Sequence, residues 1–159
     1  MNHLRKRTII LAIVALVTAS LACNLAGSTT SQSRPELETA AGTMVIAEIE
    51  MASSFPPGCS TGLDCQRAKS GHQILIVWLE KPDGGSISDI RDALFVEALP
   101  LLNDDSEAYV TGSDGSQAGL AIAHVSDDGN RFALVFVPPD SAHDFQLTWP
   151  DNQTIDLGQ

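Results

Sequence analysis

The sequence predicts an all-β domain: an antiparallel sandwich or small barrel of about seven or eight short strands. Three observations predict it. Short apolar stretches, several alternating with a period of two, recur from Thr43 to Leu157. Clusters of Gly, Pro, Asn and Asp punctuate them roughly every 8 to 12 residues, the spacing of sandwich and barrel folds. No long stretch repeats with the helical period.

The elements follow in order. Val45, Ala47, Ile49 and Met51 alternate with Met44, Ile46, Glu48 and Glu50, a strand with one wetter face. Residues 55–65 contain Pro56-Pro57-Gly58 and Gly62 and read as loop. Residues 73–80, QILIVWLE, form a continuous apolar run between Gly71 and Pro82-Asp83-Gly84-Gly85, a strand buried on both faces or in a sandwich core. Residues 93–99 are a further strand candidate, with Leu94, Val96 and Ala98 opposite Phe95, Glu97 and Leu99; their lead-in, 87–92, reads as a short helical turn capped by Ser88.

Tyr109 and Val110 mark a short strand before the turn Gly112-Ser113-Asp114-Gly115. Residues 118–125 are strand-like, and Asp127-Asp128-Gly129-Asn130 signals a hairpin into 131–137, RFALVFV. Pro138-Pro139 stops that run. Residues 143–149 alternate, with Phe145, Leu147 and Trp149 on one side. Pro150-Asp151-Asn152 turns the chain into a last strand with Ile155 and Leu157.

The segment before the domain differs in kind. Of 159 residues with net charge −11, the first 22 hold Arg5, Lys6 and Arg7 and no acid, followed by the apolar run IILAIVALVTASLA. All 20 acids lie beyond Cys23, against six Lys and Arg, a balance of −14. The uncharged stretch is shorter than the ~20 residues of a bilayer-spanning helix and suits a signal-peptide h-region. Residues 1–22 are therefore read as a signal peptide. Residues 23–42, rich in Ser, Thr, Gly and Gln at their start, are read as a disordered tether, with 36–41 at most a helical turn. The domain is 43–157. The acidic balance leaves no basic footprint for nucleic acid or for anionic lipid.

Three cysteines sharpen this. Ser20-Leu21-Ala22-Cys23 resembles the lipobox of bacterial lipoproteins, in which a small residue precedes the lipid-modified cysteine. The resemblance implies a signal peptide removed before Cys23, acyl chains (palmitate among them) on Cys23, and a domain held outside the cytoplasm at the cell membrane or outer membrane. Several chains together make such an anchor stable. Asn24 is not the Asp that retains lipoproteins in the inner membrane. The alternatives are an ordinary secretory cut after Ala22 and an uncleaved short anchor. Cys59 and Cys65 then form a pair with five residues between them, read as a disulfide in an oxidising compartment. A metal pair or a redox motif fits this spacing less well.

The sequence marks no catalytic, metal or cofactor residue. His72, His124 and His143 form no His-x-His or His-x-x-x-His pattern. Asp104-Asp105, Asp114, Asp127-Asp128 and Asp151 sit in turns without the ligand spacing of a calcium loop. There is no Gly-x-Ser-x-Gly and no Ser-x-x-Lys, and the glycine-rich stretch 112–119 leads into a strand, away from the anion-binding geometry of a helix N-terminus.

The order of strands carries a second resemblance. The buried strand 74–79, the strand around Phe95, the polar stretch with Tyr109, the hairpin, and the closing strands 132–138, 145–149 and 153–157 look like an immunoglobulin-like, telokin-like extracytoplasmic domain found on bacterial lipoproteins. Phe136-Val137-Pro138 and Phe145 with Leu147 match part of that family's Phe-x-Val-Pro strand end. Lys81-Pro82-Asp83-Gly84-Gly85 stands where the family has an Asn-rich turn. The resemblance implies an immunoglobulin-like β-sandwich and lends no catalytic residues. The function expected is non-enzymatic: a lipid-anchored domain that recognises a protein, peptide or glycan, or has a structural role in the envelope. The alternatives are a small-solute-binding or sensing lipoprotein, for which an apolar pocket lined by Trp149 or Tyr109 is the expected sign, and a small extracytoplasmic hydrolase or metal-dependent enzyme.

Overall fold

The computed structural model describes residues 34–62, 65–103 and 108–158. Among them the strands are β1 (Glu36–Thr39), β2 (Gly42–Ala52), β3 (Ser54–Phe55), β4 (Gln66–Arg67), β5 (Ile74–Glu80), β6 (Tyr109–Thr111), β7 (Gln117–Val125), β8 (Arg131–Phe136), β9 (Phe145–Trp149) and β10 (Gln153–Gly158). One α-helix, α1 (Arg91–Asn103), stands between β5 and β6. The fold is all-β and antiparallel, as the sequence predicts. Eight strands make one sheet in the order β1-β2-β5-β8-β7-β6-β9-β10, and β3 pairs with β4 in a separate flap.

That single sheet curls until its ends approach each other. All eight strands feed one buried cluster: Leu37 comes from β1 at one edge and Leu157 from β10 at the other. The edges are joined directly. The Gln153 side-chain amide donates to the Glu38 carbonyl at 3.0 Å, and the Glu38 N–H donates to Gln153 Oε1 at 3.0 Å. One side chain thus supplies the pair of bonds that a neighbouring strand would give, and it covers edge groups that would otherwise be open to another chain. The two layers of a sandwich are here two halves of one continuous, nearly barrel-like sheet.

Alternation explains which residues go inside. From β5, Leu75, Val77 and Leu79 join the interior with Phe132, Leu134 and Phe136 of β8. The intervening Ile74, Ile76, Ala133 and Val135 form a second buried cluster on the outer face. The apolar run of β5 is therefore buried on both faces. In β9, Phe145, Leu147 and Trp149 are buried and Gln146 is exposed, following the alternation of the sequence.

Three details depart from the expected pattern. In β2 the register shifts between Ile46 and Glu48. Met44 and Ile46 enter the interior before the shift and Ile49 packs on it afterwards, while Met51 is 36% exposed. A bulge of this kind inserts one residue and reverses the faces, so Val45, Ala47, Ile49 and Met51 do not share one inner face.

Residues 36–39, read as tether or helical turn, are a strand: Leu37 is fully buried and β1 pairs with β2 across a turn at Gly42, whose φ of 111° favours glycine. Residues 36–42 thus belong to the sheet, ahead of the expected boundary at residue 43.

The strand expected over 93–99 is the helix α1. Leu94, Ala98 and Leu101, at i, i+4 and i+7, face the interior, and Phe95 meets Phe132 edge-on at 5.2 Å. Glu97 accepts the Ala40 N–H at 2.9 Å and ties the helix to the β1–β2 turn. Val96 and Leu99 are 68% and 52% exposed.

Candidate functional site: a hollow beside a stapled flap

The connection from β2 to β5 does not pass directly. It folds over the outer face as the β3–β4 flap, with Ser54 opposite Arg67 and Phe55 opposite Gln66. Cys59 and Cys65 are disulfide-bonded at the flap's tip, with Cα atoms 5.8 Å apart. The Ala68 N–H donates to the Ser53 carbonyl at 3.1 Å and closes the base. Phe55 is 3% exposed and anchors the flap to the outer cluster. Its ring meets His124 edge-on at 5.4 Å and lies 6.4 Å from Trp78.

The flap covers the outer cluster only in part. Beside it lies an open hollow of about 530 Å3, floored by Ile74, Ile122, Val135 and Val137. A bulge in β7 shapes this floor. The register shifts between Leu120 and Ile122. Leu120 and Ala123 pack on the interior, while Ala121 and Ile122 both line the hollow. The extra residue thus places two successive side chains on the outer face.

The rim is basic: Arg67, Lys69 and His72 line it. The turn that carries Lys69 and His72 is built to hold them. The His72 N–H donates to the Lys69 carbonyl at 3.0 Å, and Gly71 takes a φ of 78°. Gln73 then donates through Nε2 to the carbonyls of Pro139 and Ala142 at 3.2 and 2.8 Å, and the Asp140 N–H donates to the Gly71 carbonyl at 3.1 Å. These bonds clamp the rim to the β8–β9 connection.

Charge pairing sets this rim apart. Arg34 pairs with Glu80, Lys81 with Asp89, Arg91 with Asp92, and Arg131 with Glu48 and Glu80. Among the described residues Arg67 and Lys69 alone of the six cations beyond Cys23 have no carboxylate partner; Arg67 donates to the Ser60 carbonyl. A second hollow, of about 450 Å3, lies between the β1–β2 turn and Lys81-Pro82-Asp83. Its lysine is held by Asp89 at 2.6 Å, and that contact keeps the Asp89 carboxyl below the ordinary range.

The other sequence-predicted residues are scattered. Cys23 and the leader lie outside the described residues. His124 is half-buried against Phe55. His143 is exposed, with Nδ1 3.1 Å from the Ser141 carbonyl and Nε2 3.8 Å from Asp144. Only His72 belongs to the hollow. Asp114 and Asp128 serve their own turns: hydroxyls of Ser116 and Ser126 donate to them at 2.6 Å and hold both carboxyls below their usual values. Asp104 and Asp105 lie outside the described residues. Among the described residues no group of three or more His, Cys, Asp or Glu could hold a metal, and no helix is long and apolar enough to cross a membrane.

Trp149 and Tyr109 do not line the hollow. Trp149 is 3% exposed in the interior, and its indole N–H has no partner among the described residues. The sequence reading missed Arg67, Lys69 and Ile122. A signal was present: residues 65–79 hold no acid in a chain with 20 of them, and they hold Arg67, Lys69 and His72. Comparison with protein families, curated proteins and solved structures finds no match to this chain.

Proposed function

We propose that this protein is an exported, lipid-anchored, non-enzymatic binding protein, with Cys23 acylated and the curled sheet as its binding body. The observation that carries the reading is the cysteine pairing. Cys59 and Cys65 bond to each other, a state that persists in oxidising compartments. That leaves Cys23 as the odd cysteine, directly after the apolar run. The ten residues between Cys23 and Arg34 are rich in Ser and Thr, a linker composition.

Among the partner classes, the hollow favours a small solute over a protein or glycan. Its volume of about 530 Å3 lies within the ~300–1,000 Å3 of small-molecule pockets, and its apolar floor with a few polar groups matches their make-up. Metabolic labelling with an alkyne palmitate analogue, followed by intact-mass measurement of the membrane fraction, tests the anchor. Acyl mass on a chain that starts at Cys23 is expected, lost in Cys23→Ala. A retained leader or an unmodified Cys23 overturns it.

A further inference from the structure

We propose that the hollow beside the β3–β4 flap binds a small amphipathic carboxylate, an apolar body with one anionic head. The inference rests on the reading of the domain as a binding body and names its ligand class; it does not depend on the anchor.

Three observations converge. The floor is aliphatic: Ile74 and Val135 are buried, and Ile122 and Val137 are half-buried. It offers no partner for a polar or charged ligand body, and apolar surface laid on it is removed from water. The rim is cationic in a chain whose exported part carries −14. Each of the other four cations is neutralised by an acid, so Arg67 and Lys69 are where, among the described residues, positive charge is left without a counter-charge. At physiological salt, exposed charges beyond ~8 Å are largely screened. An anion in the hollow therefore responds to Arg67 and Lys69 more than to acids beyond that distance.

The third observation is preorganisation. Arg67 is fixed at one side by its bond to the Ser60 carbonyl, within a flap closed by the disulfide. A guanidinium carries five N–H donors, so donors remain for a carboxylate. The backbone that carries Lys69 and His72 is held by the turn at Gly71 and its clamp to the β8–β9 connection. An acid head at the rim and a short apolar body on the floor would use both parts of the hollow at once. Inorganic phosphate would use only the rim, and a neutral alcohol only the floor.

The test uses the isotope-labelled full chain in phosphatidylcholine nanodiscs, titrated with 4-phenylbutyrate, 4-phenylbutanol and inorganic phosphate while backbone amide shifts are followed. Saturable shifts at residues 66–74 and 121–122 are expected with 4-phenylbutyrate, and at least tenfold weaker binding of 4-phenylbutanol and phosphate. Arg67→Glu with Lys69→Glu, at two exposed positions, should weaken 4-phenylbutyrate at least tenfold and leave amides of the interior strands unmoved. Ile122→Phe, which fills the floor and keeps the charge, should weaken it as well. Equal binding of the alcohol or of phosphate, shifts elsewhere on the domain, or indifference to the charge reversal overturns the proposal. Conversion of the probe to a product, with shifts at the hollow, would support the site and overturn only the non-enzymatic reading. Loss of the anchor would leave the titration unchanged.

Discussion

The two faces of β5 and β8 come from alternate residues of the same strands, yet they are finished differently. The inner face is closed by eight strands, by α1 and by the Gln153 bridge between the sheet's edges. Its buried phenylalanines, Phe132, Phe136 and Phe145, are at most 1% exposed. The outer face has four buried residues, Ile74, Ile76, Ala133 and Val135, covered by Phe55 of a flap made of two-residue strands and a disulfide. The pleat thus divides labour. The inner face commits its apolar surface to holding the sheet closed, and the under-covered outer face leaves apolar surface beside Arg67 and Lys69, which have no carboxylate partner among the described residues.

Removing volume from each face should break the comparison if it is wrong. Phe136→Ala, in the fully buried interior, is expected to cost about 3–5 kcal/mol. Ile122→Ala, half-buried in the hollow, is expected to cost less than about 2 kcal/mol, because much of that surface already meets water. Urea unfolding of both variants measures the difference. Equal costs would mean that the outer face is as much a core as the inner one.

The disulfide offers the next largest effect, and it should be local. Cys59 and Cys65 are six apart in sequence, so the loop-closure stabilisation is about 2 kcal/mol. In the variant with both cysteines changed to serine, hydrogen exchange should speed up at Ala68 and along β3–β4, whose bonds the staple supports. The amide of Val77, within the sheet, should keep its protection. Loss of protection at both would show that the flap and the sheet unfold as one unit.

The difference between the faces also decides what the sequence could reveal. Strands that alternate or run apolar between turn residues were legible: β5, β7, β8, β9 and β10 stand close to where the pattern puts them. So was the Cys59–Cys65 pair, the two cysteines left once Cys23 is set aside. The helix α1 was not, because Val96 and Leu99 are apolar and exposed. With apolar residues all round, its helical period is blurred, and local alternation mimics a strand. β1 was lost for the opposite reason: a four-residue strand with one buried side chain, Leu37, is too short to show a period. The hollow depends on what no linear pattern carries: a bulge at Ala121, a flap folded back over β5 and β8, and acids that, among the described residues, reach four cations but not Arg67 or Lys69.

The smallest effect lies in the turns that join these strands, and it separates charge from packing. At the β7–β8 hairpin the Ser126 hydroxyl donates to Asp128 at 2.6 Å and the Asn130 N–H donates at 3.1 Å. These bonds favour the ionised carboxylate and hold it below its ordinary value of 3.8. A carboxyl lowered on folding gives stability that is complete above the unfolded value and is lost as pH falls through the folded one. Asp128→Asn keeps an accepting oxygen and removes the charge. Its melting temperature should therefore lie slightly below that of the parent at pH 6, and the gap should close as pH drops below about 3.8. Phe136→Ala removes apolar contacts whose worth has no such titration, so its gap should persist through the same range wherever the fold survives. A pH-independent gap for Asp128→Asn would mean that turn geometry, and not the carboxylate's charge, sets the hairpin's contribution.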